Sequence, residues 1–162
     1  MYLDEILAVG SSNNLKVESL NTDEEIGSWV VAADNFEVPT GYDGIYDITI
    51  VFANNAFYVF GGIVTNFDNS LAAIRSTSIG RFDIGTRKWS VAGSINTGRF
   101  QANTIFDGSS VLVVGGEGLM KTEVCKLDET GIFFTCIEQD PILQDYKFYP
   151  ELFLVPVDFC KV

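Results

Sequence analysis

Two cysteines have a spacing that suits a definite reaction, the formation of a disulfide. Cys125 and Cys136 lie five positions on either side of the pair Thr130-Gly131, which is typical of a tight β-hairpin turn. Residues directly opposite each other in a hairpin hold their Cβ atoms about 4.5–5.5 Å apart, near the range that a disulfide bridges. We therefore expect a Cys125–Cys136 disulfide, with two reduced thiols facing each other in the core as the alternative.

The redox state of this pair decides the expected compartment. A disulfide indicates an extracellular or secretory protein, whereas reduced thiols indicate a cytoplasmic one. The segment Met1–Glu5 lacks the basic and apolar regions of a signal peptide, and a predicted strand begins almost at once. This start favours a truncated gene product. Cys160 is then either free or paired with a cysteine outside this sequence.

The sequence contains no histidine. Its absence excludes Ser-His-Asp triads, histidine-ligated zinc or copper, and histidine general bases. A glycosidase mechanism would need two facing carboxylates, and no spacing singles out such a pair among the acids of the predicted loops: Glu37, Asp43, Asp47, Asp68, Asp140 and Asp145. We expect a protein that is not an enzyme and has no catalytic residue, no metal and no cofactor.

The net charge of −12 disfavours nucleic acid as a partner, because such binding needs clustered lysine and arginine. No run of about 18 apolar residues predicts a membrane span. The charge is uneven: residues 1–50 carry ten acids and one base, whereas residues 51–108 carry three acids and five bases. This pattern is either ordinary solvated surface or an acidic edge that meets a basic one, within one ring or between two chains.

The elements that must position these side chains are strands that end in a glycine pair. Phe57–Gly62 and Val111–Gly116 share this pattern, and Ile6–Ser11 is a degraded copy. The first glycines, at positions 10, 61 and 115, are 51 and 54 residues apart. Periods of this size mark the blades of a β-propeller rather than helical repeats.

Each complete repeat divides into four strands, A to D, and the whole sequence into three four-stranded antiparallel blades. The second blade covers about residues 48–92 and the third about 102–138. The first blade covers about 1–34 and takes its strand A from about 150–157 at the other end of the chain. Three blades fall short of the four to eight of known propellers.

These repeats resemble kelch repeats, which have Gly-Gly closing the second strand, an aromatic residue in the third and tryptophan opening the fourth. The matching residues are Gly61-Gly62, Phe82 and Trp89 in the second blade, Gly115-Gly116 in the third, and Gly10 and Trp29 in the first. In the loop 96–102, Arg99 matches the kelch segment before strand A. The closing segment 123–160 resembles the C-terminal end of kelch-type proteins of invertebrate animals. The resemblance implies a kelch-type propeller whose glycines and aromatics are structural.

The candidate binding residues lie in the long B–C and D–A loops, which antiparallel blades place on one face. Long loops on a rigid scaffold are where binding concentrates. The loops carry aromatic and arginine side chains typical of protein contacts, although any one of them could pack under its own loop: Tyr42, Tyr46, Phe67, Arg75, Arg99, Phe100 and Tyr146. We expect a protein-protein interaction module, with a carbohydrate-binding or carbohydrate-processing propeller as the alternative.

The incomplete ring gives a second expectation about partners. The two outermost blade faces would stay exposed, and we expect them to be lined by Phe57, Val59, Val111 and Val113. Unless the sequence is a fragment of a longer propeller, a second copy is expected to complete a six-bladed ring.

Overall fold

The computed structural model describes residues 5–10, 15–21, 28–33, 36–40, 42–66 and 70–139. Within these ranges every regular element is a β-strand, and no helix that could cross a membrane is found. The predicted all-β class is therefore confirmed. The strands are, in chain order, β1 (Glu5–Val9), β2 (Val17–Asn21), β3 (Val30–Ala33), β4 (Gly44–Tyr46), β5 (Thr49–Ala53), β6 (Ala56–Phe60), β7 (Ile63–Thr65), β8 (Ile74–Arg75), β9 (Ser78–Asp83), β10 (Lys88–Ser94), β11 (Asn103–Phe106), β12 (Ser110–Val114), β13 (Thr122–Leu127) and β14 (Phe134–Gln139).

The strands form three sheets. The largest has the order β11-β12-β13-β14-β10-β9-β6-β5 and consists of two four-stranded antiparallel units. We call β5-β6-β9-β10 blade 2 and β11-β12-β13-β14 blade 3; a short parallel contact between β10 and β14 joins them. The sheet β1-β2-β3, which we call blade 1, shows three strands among the described residues. The strand predicted at 150–157 lies outside the described residues.

The core between blades 2 and 3 is built on aromatic side chains. Tyr58 and Phe60, alternate residues of β6, point to the same side of the strand and are fully buried. The ring of Phe134 from β14 lies between them, with ring centroids 4.9 Å from Tyr58 and 5.4 Å from Phe60, both edge to face. Val111 and Val113 of β12 complete this core.

Blade 2 is covered on its other side by blade 1 and the segment that follows it. Val59, which points opposite to Tyr58 and Phe60, packs in a second core with Leu15 and Phe36. A Cβ atom on Gly80 would lie 2.9 Å from the Phe36 ring, so glycine lets this ring pack directly against the strand. Blade 2 is thus buried on both faces.

This packing corrects the expectation about the outermost faces. Val59, Val111 and Val113 are at most 2% exposed and lie between blades, not on the open faces. The alternation of apolar residues predicts that a strand has two different faces. It does not indicate which of them a neighbouring blade covers, so the expectation for these three residues is wrong.

The glycine pairs are explained by backbone conformation and close approach. Gly61 and Gly62 have φ of 64° and 102°, in the left-handed region that favours glycine. A Cβ atom on Gly61 would lie 2.3 Å from the carbonyl oxygen of Arg99. That same oxygen accepts a hydrogen bond from the Gly62 N–H at 2.8 Å. The pair therefore lets strand B end directly against the next D–A loop.

The predicted disulfide is present. Cys125 of β13 lies directly opposite Cys136 of β14, and their Cα atoms are 3.9 Å apart. Cys125 is fully buried and belongs to the core between blades 2 and 3. The crosslink therefore joins the two outer strands of blade 3 next to Phe134.

The turn between these strands is longer than the predicted two residues. Strand pairing stops at Leu127 and Phe134, which leaves residues 128–133 as the connection. The Asp128 carboxylate organises it by accepting hydrogen bonds from the Thr130 hydroxyl at 2.7 Å and from two backbone N–H groups. The connection keeps the centre expected from the sequence, so the cysteines still face each other.

We expect the disulfide to be covalent and stabilising in protein that is produced in an oxidising compartment. Peptide mapping without reduction should recover the segments of Cys125 and Cys136 as one linked species. Reduction should lower the free energy of unfolding by about 3 kcal/mol, the value expected for a short closed loop. Urea unfolding with and without reductant measures this change, and a Cys160→Ser variant serves as background. Recovery of both cysteines alkylated without prior reduction would contradict the assignment.

Candidate functional site

The long loops of blades 1, 2 and 3 lie on one side of the structure, which we call the loop face. It consists of the described residues of 36–48, 61–77, 95–102 and 115–121. It contains a small antiparallel sheet in the order β4-β7-β8. Because β4 belongs to a D–A loop whereas β7 and β8 belong to a B–C loop, the sheet fixes two loops to each other.

Hydrogen bonds also join the loops of consecutive blades. The backbone N–H and the side-chain amide of Gln101 donate to the backbone and side-chain oxygens of Asp47, each at 3.1 Å. The Glu117 N–H donates to the carbonyl of Phe100 at 3.0 Å. The loop face is therefore one connected platform rather than a set of independent loops.

Two predicted contact residues, Arg75 and Phe100, are brought together on this platform. The Arg75 guanidinium lies 5.3 Å from the centre of the Phe100 ring. It also donates to the Glu117 carbonyl at 2.8 Å and to the Glu117 carboxylate at 3.0 Å. The Arg75 and Glu117 side chains are 40% and 43% exposed. An ion pair this exposed contributes at most about 1 kcal/mol to stability, but it presents an arginine in a fixed orientation.

Arg99, in contrast, is fully buried. Its guanidinium donates to the carbonyls of Gly115 and Lys121 at 3.0 and 2.9 Å, and to the Glu123 carboxylate at 2.6 Å. The expectation that Arg99 contacts a partner at the surface is therefore wrong. An arginine in a loop has the same sequence pattern whether it faces solvent or the interior, and only the acid at position 123 signals the difference.

Glu123 holds the same loop from the other side. Its carboxylate is fully buried and accepts hydrogen bonds from the backbone N–H groups of Asn96 and Thr97 at 2.6 and 3.1 Å, as well as from the Asn96 side chain. The Arg99–Glu123 pair is therefore satisfied on both sides. A buried pair of this kind is costly to break, because removal of one partner leaves an uncompensated charge.

The other predicted contact residues have mixed placements. Tyr42 is half-buried and donates its hydroxyl to the Ala72 carbonyl at 3.2 Å. Tyr46 is half-buried within β4, opposite Ile63. Phe67 and Tyr146 lie outside the described residues. Tyr42 and Tyr46 therefore support the platform and also reach its surface.

A further feature of the loop face was not predicted. The segment from Leu71 to Ile74 reads Leu-Ala-Ala-Ile, and all four residues are exposed, with Leu71 at 44% and Ile74 at 41%. Two hydrogen bonds hold this segment: the Tyr42 hydroxyl donates to the Ala72 carbonyl, and the Leu71 N–H donates to the Asn66 side chain. At its end, Ile74 pairs with Val64 of β7. The signal in the sequence was a run of four apolar residues inside a predicted loop.

A cleft of about 840 Å³ lies where the loop face meets blade 1 and blade 2. Phe36, Ile45 and Val64 line it, together with the first residues of β10. Glu37 is the one carboxylate that lines it among the described residues. Across the same parts of the chain, no three histidine, cysteine or acidic side chains converge in a way that could hold a metal ion.

Comparison with known proteins supports the fold and no more. No protein-family model matches the sequence, and no curated protein matches it. Among 105 matching chains of solved structures, the structure of YjhT aligns with a TM-score of 0.57 and 16% sequence identity. The match covers 88% of this chain and 50% of the YjhT chain, so the chain spans about half the length of that structure.

We expect Glu123→Gln to lower the free energy of unfolding by about 3–5 kcal/mol, because it leaves the buried Arg99 charge without its partner. Glu117→Gln is the matched control, since it removes the carboxylate of the exposed Arg75 pair and should change stability by at most about 1 kcal/mol. Urea unfolding at pH 7 and one fixed protein concentration, followed by tryptophan fluorescence, measures both changes. Equal losses in the two variants would contradict the structural role assigned to Glu123.

Proposed function

We propose that this chain is a protein-protein interaction module that binds its partner through the loop face. The observation that carries the proposal is the exposed apolar segment from Leu71 to Ile74, held in a fixed conformation. Single exposed apolar side chains are normal on a protein surface, but contiguous apolar patches mark interaction sites.

The fixed conformation of this segment favours binding energetically. Association must offset the entropy lost when loops and side chains become ordered. Here the Tyr42 hydroxyl and the pairing of β7 with β8 already order the backbone that carries Leu71 and Ile74. Burial of these side chains against a partner would therefore stabilise the complex with little further loss of backbone entropy.

The neighbouring side chains suit a protein partner. Arg75 follows Ile74 directly in the chain and its guanidinium rests on the Phe100 ring, so that an arginine–aromatic pair adjoins the end of the apolar segment. Arginine and aromatic residues are enriched among the residues that dominate binding energy at protein interfaces. Glu117, on the other side of Arg75, adds an acceptor at the rim.

The types of side chain in the sequence and along the cleft favour binding rather than catalysis. The sequence has no histidine, and Glu37 has no second carboxylate beside it among the described residues that line the cleft. Hydrolysis of a glycoside by an acid and a base requires such a pair.

Site-specific photocrosslinking tests the proposal. A benzoylphenylalanine placed at Leu71 should give a discrete protein adduct in an extract of the source organism. The same probe at Phe133, which is 51% exposed in the connection between β13 and β14, is the control and should give none. The partner identified in the adduct is then purified and titrated with the wild-type chain and two variants.

We expect Ile74→Glu to weaken binding of that partner at least about tenfold, the effect of losing 1.4 kcal/mol, because a charge replaces an apolar contact. Phe133→Glu should leave the affinity unchanged. An unchanged affinity of Ile74→Glu would contradict the proposal. Binding to an array of neutral and acidic glycans, without any crosslinked protein, would instead favour the carbohydrate-binding alternative.

A further inference from the structure

The blades of this chain differ in how many of their faces are covered. Blade 2 is packed on both sides, by blade 3 against Tyr58 and Phe60 and by the blade 1 side against Val59. Blades 1 and 3 each lie against blade 2 with one face. Within the part of the chain that the structure describes, their opposite faces are the two ends of the stack, and each carries apolar side chains.

The outer face of blade 3 presents one apolar residue from each of its four strands. Ile105, Leu112, Val124 and Ile137 lie directly opposite one another in register across β11, β12, β13 and β14. Ile137 is 57% exposed and the other three are half-buried. The alternate residues of the same strands form the buried contact with blade 2, so this row faces away from it.

The outer face of blade 1 has the same character. Ile6 lies opposite Leu20 across β1 and β2, and Ala8, Glu18 and Val31 form the next row across β1, β2 and β3. Ile6 is 48% exposed and Val31 56% exposed. The face that packs against blade 2 is formed by the alternate residues, including Val9 and Val17.

Both outer faces also carry charged side chains. Lys126 lies two residues beyond Val124 in β13 and therefore on the outer face of blade 3. Glu18 lies between Ala8 and Val31 on the outer face of blade 1. Neither side chain forms an ion pair with another described residue. An apolar face with Lys126 thus stands at one end of the stack, and an apolar face with Glu18 and, two residues before it, Lys16 stands at the other.

We propose that the outer face of blade 3 binds the outer face of blade 1 of a second copy of this chain. Two such contacts, related by a twofold axis, close a ring of six blades. The contact continues the blade-to-blade packing that already exists on both sides of blade 2. The match to YjhT, which covers half of that chain, is consistent with a stack that continues beyond three blades.

Head-to-tail closure gives a test that does not depend on the proposed function. The 162-residue chain should sediment as a dimer at micromolar concentration. Ile137→Glu on blade 3 and Ile6→Glu on blade 1 should each weaken dimerisation at least tenfold, whereas Phe133→Glu should not. Circular dichroism checks that each variant keeps its strands. An equimolar mixture of the Ile137→Glu and Ile6→Glu chains should regain association, because one contact then contains only native faces.

Charge reversal provides a second set of variants that leaves the apolar rows intact. Lys126→Glu and Glu18→Lys should each weaken the dimer, and the double variant should restore it. A wild-type monomer would overturn the proposal and indicate that other residues of the same polypeptide cover these faces. Open oligomers larger than a dimer would overturn the closed ring, and a mixture that stays monomeric would overturn the head-to-tail arrangement.

Discussion

The arrangement of the loop face depends on a buried ion pair between Arg99 and Glu123. The Arg99 carbonyl accepts a hydrogen bond from the Gly62 N–H just after β6. The Arg99 guanidinium donates hydrogen bonds to the carbonyls of Gly115 and Lys121 in the next blade. One residue thereby connects loops of two blades. Because both charged groups are fully buried, alternative positions of this loop would expose a charge to an apolar surrounding, which is strongly unfavourable.

The connections at the two ends of the blades are therefore ordered in different ways: locally at the end with the short turns, and by contacts between loops at the loop face. At the turn end, short connections are closed by local hydrogen bonds such as those of Asp128, and the Tyr58 hydroxyl ties blade 2 to the Gly131 carbonyl at 2.9 Å. At the loop face the connections are long and would be mobile by themselves. Their ordering through Arg99 and the β4-β7-β8 sheet is what allows Leu71 and Ile74 to stay exposed in a defined position.

Much of the fold could be predicted because some of its structural features can be formed only by particular residue types. A left-handed backbone that closely approaches another backbone segment, as at Gly61, requires glycine, so the pairs at Gly61 and Gly115 marked the blades. The symmetry of Cys125 and Cys136 about one centre predicted their pairing. The burial of Arg99 and the direction of Val111 could not be predicted. Both depend on which neighbour covers a given side of a loop or strand, and the residue type is the same in either case.

Hydrogen exchange at the Gly62 amide tests most directly whether the ion pair fixes the loop face. This N–H donates to the Arg99 carbonyl outside any strand, so its protection reports the opening of the loop contact. We expect the Gly62 amide to exchange as slowly as the amides of β6 in the wild-type chain and to become fast in Glu123→Gln, while the β6 amides remain protected. Rapid exchange of Gly62 in the wild-type chain would contradict it.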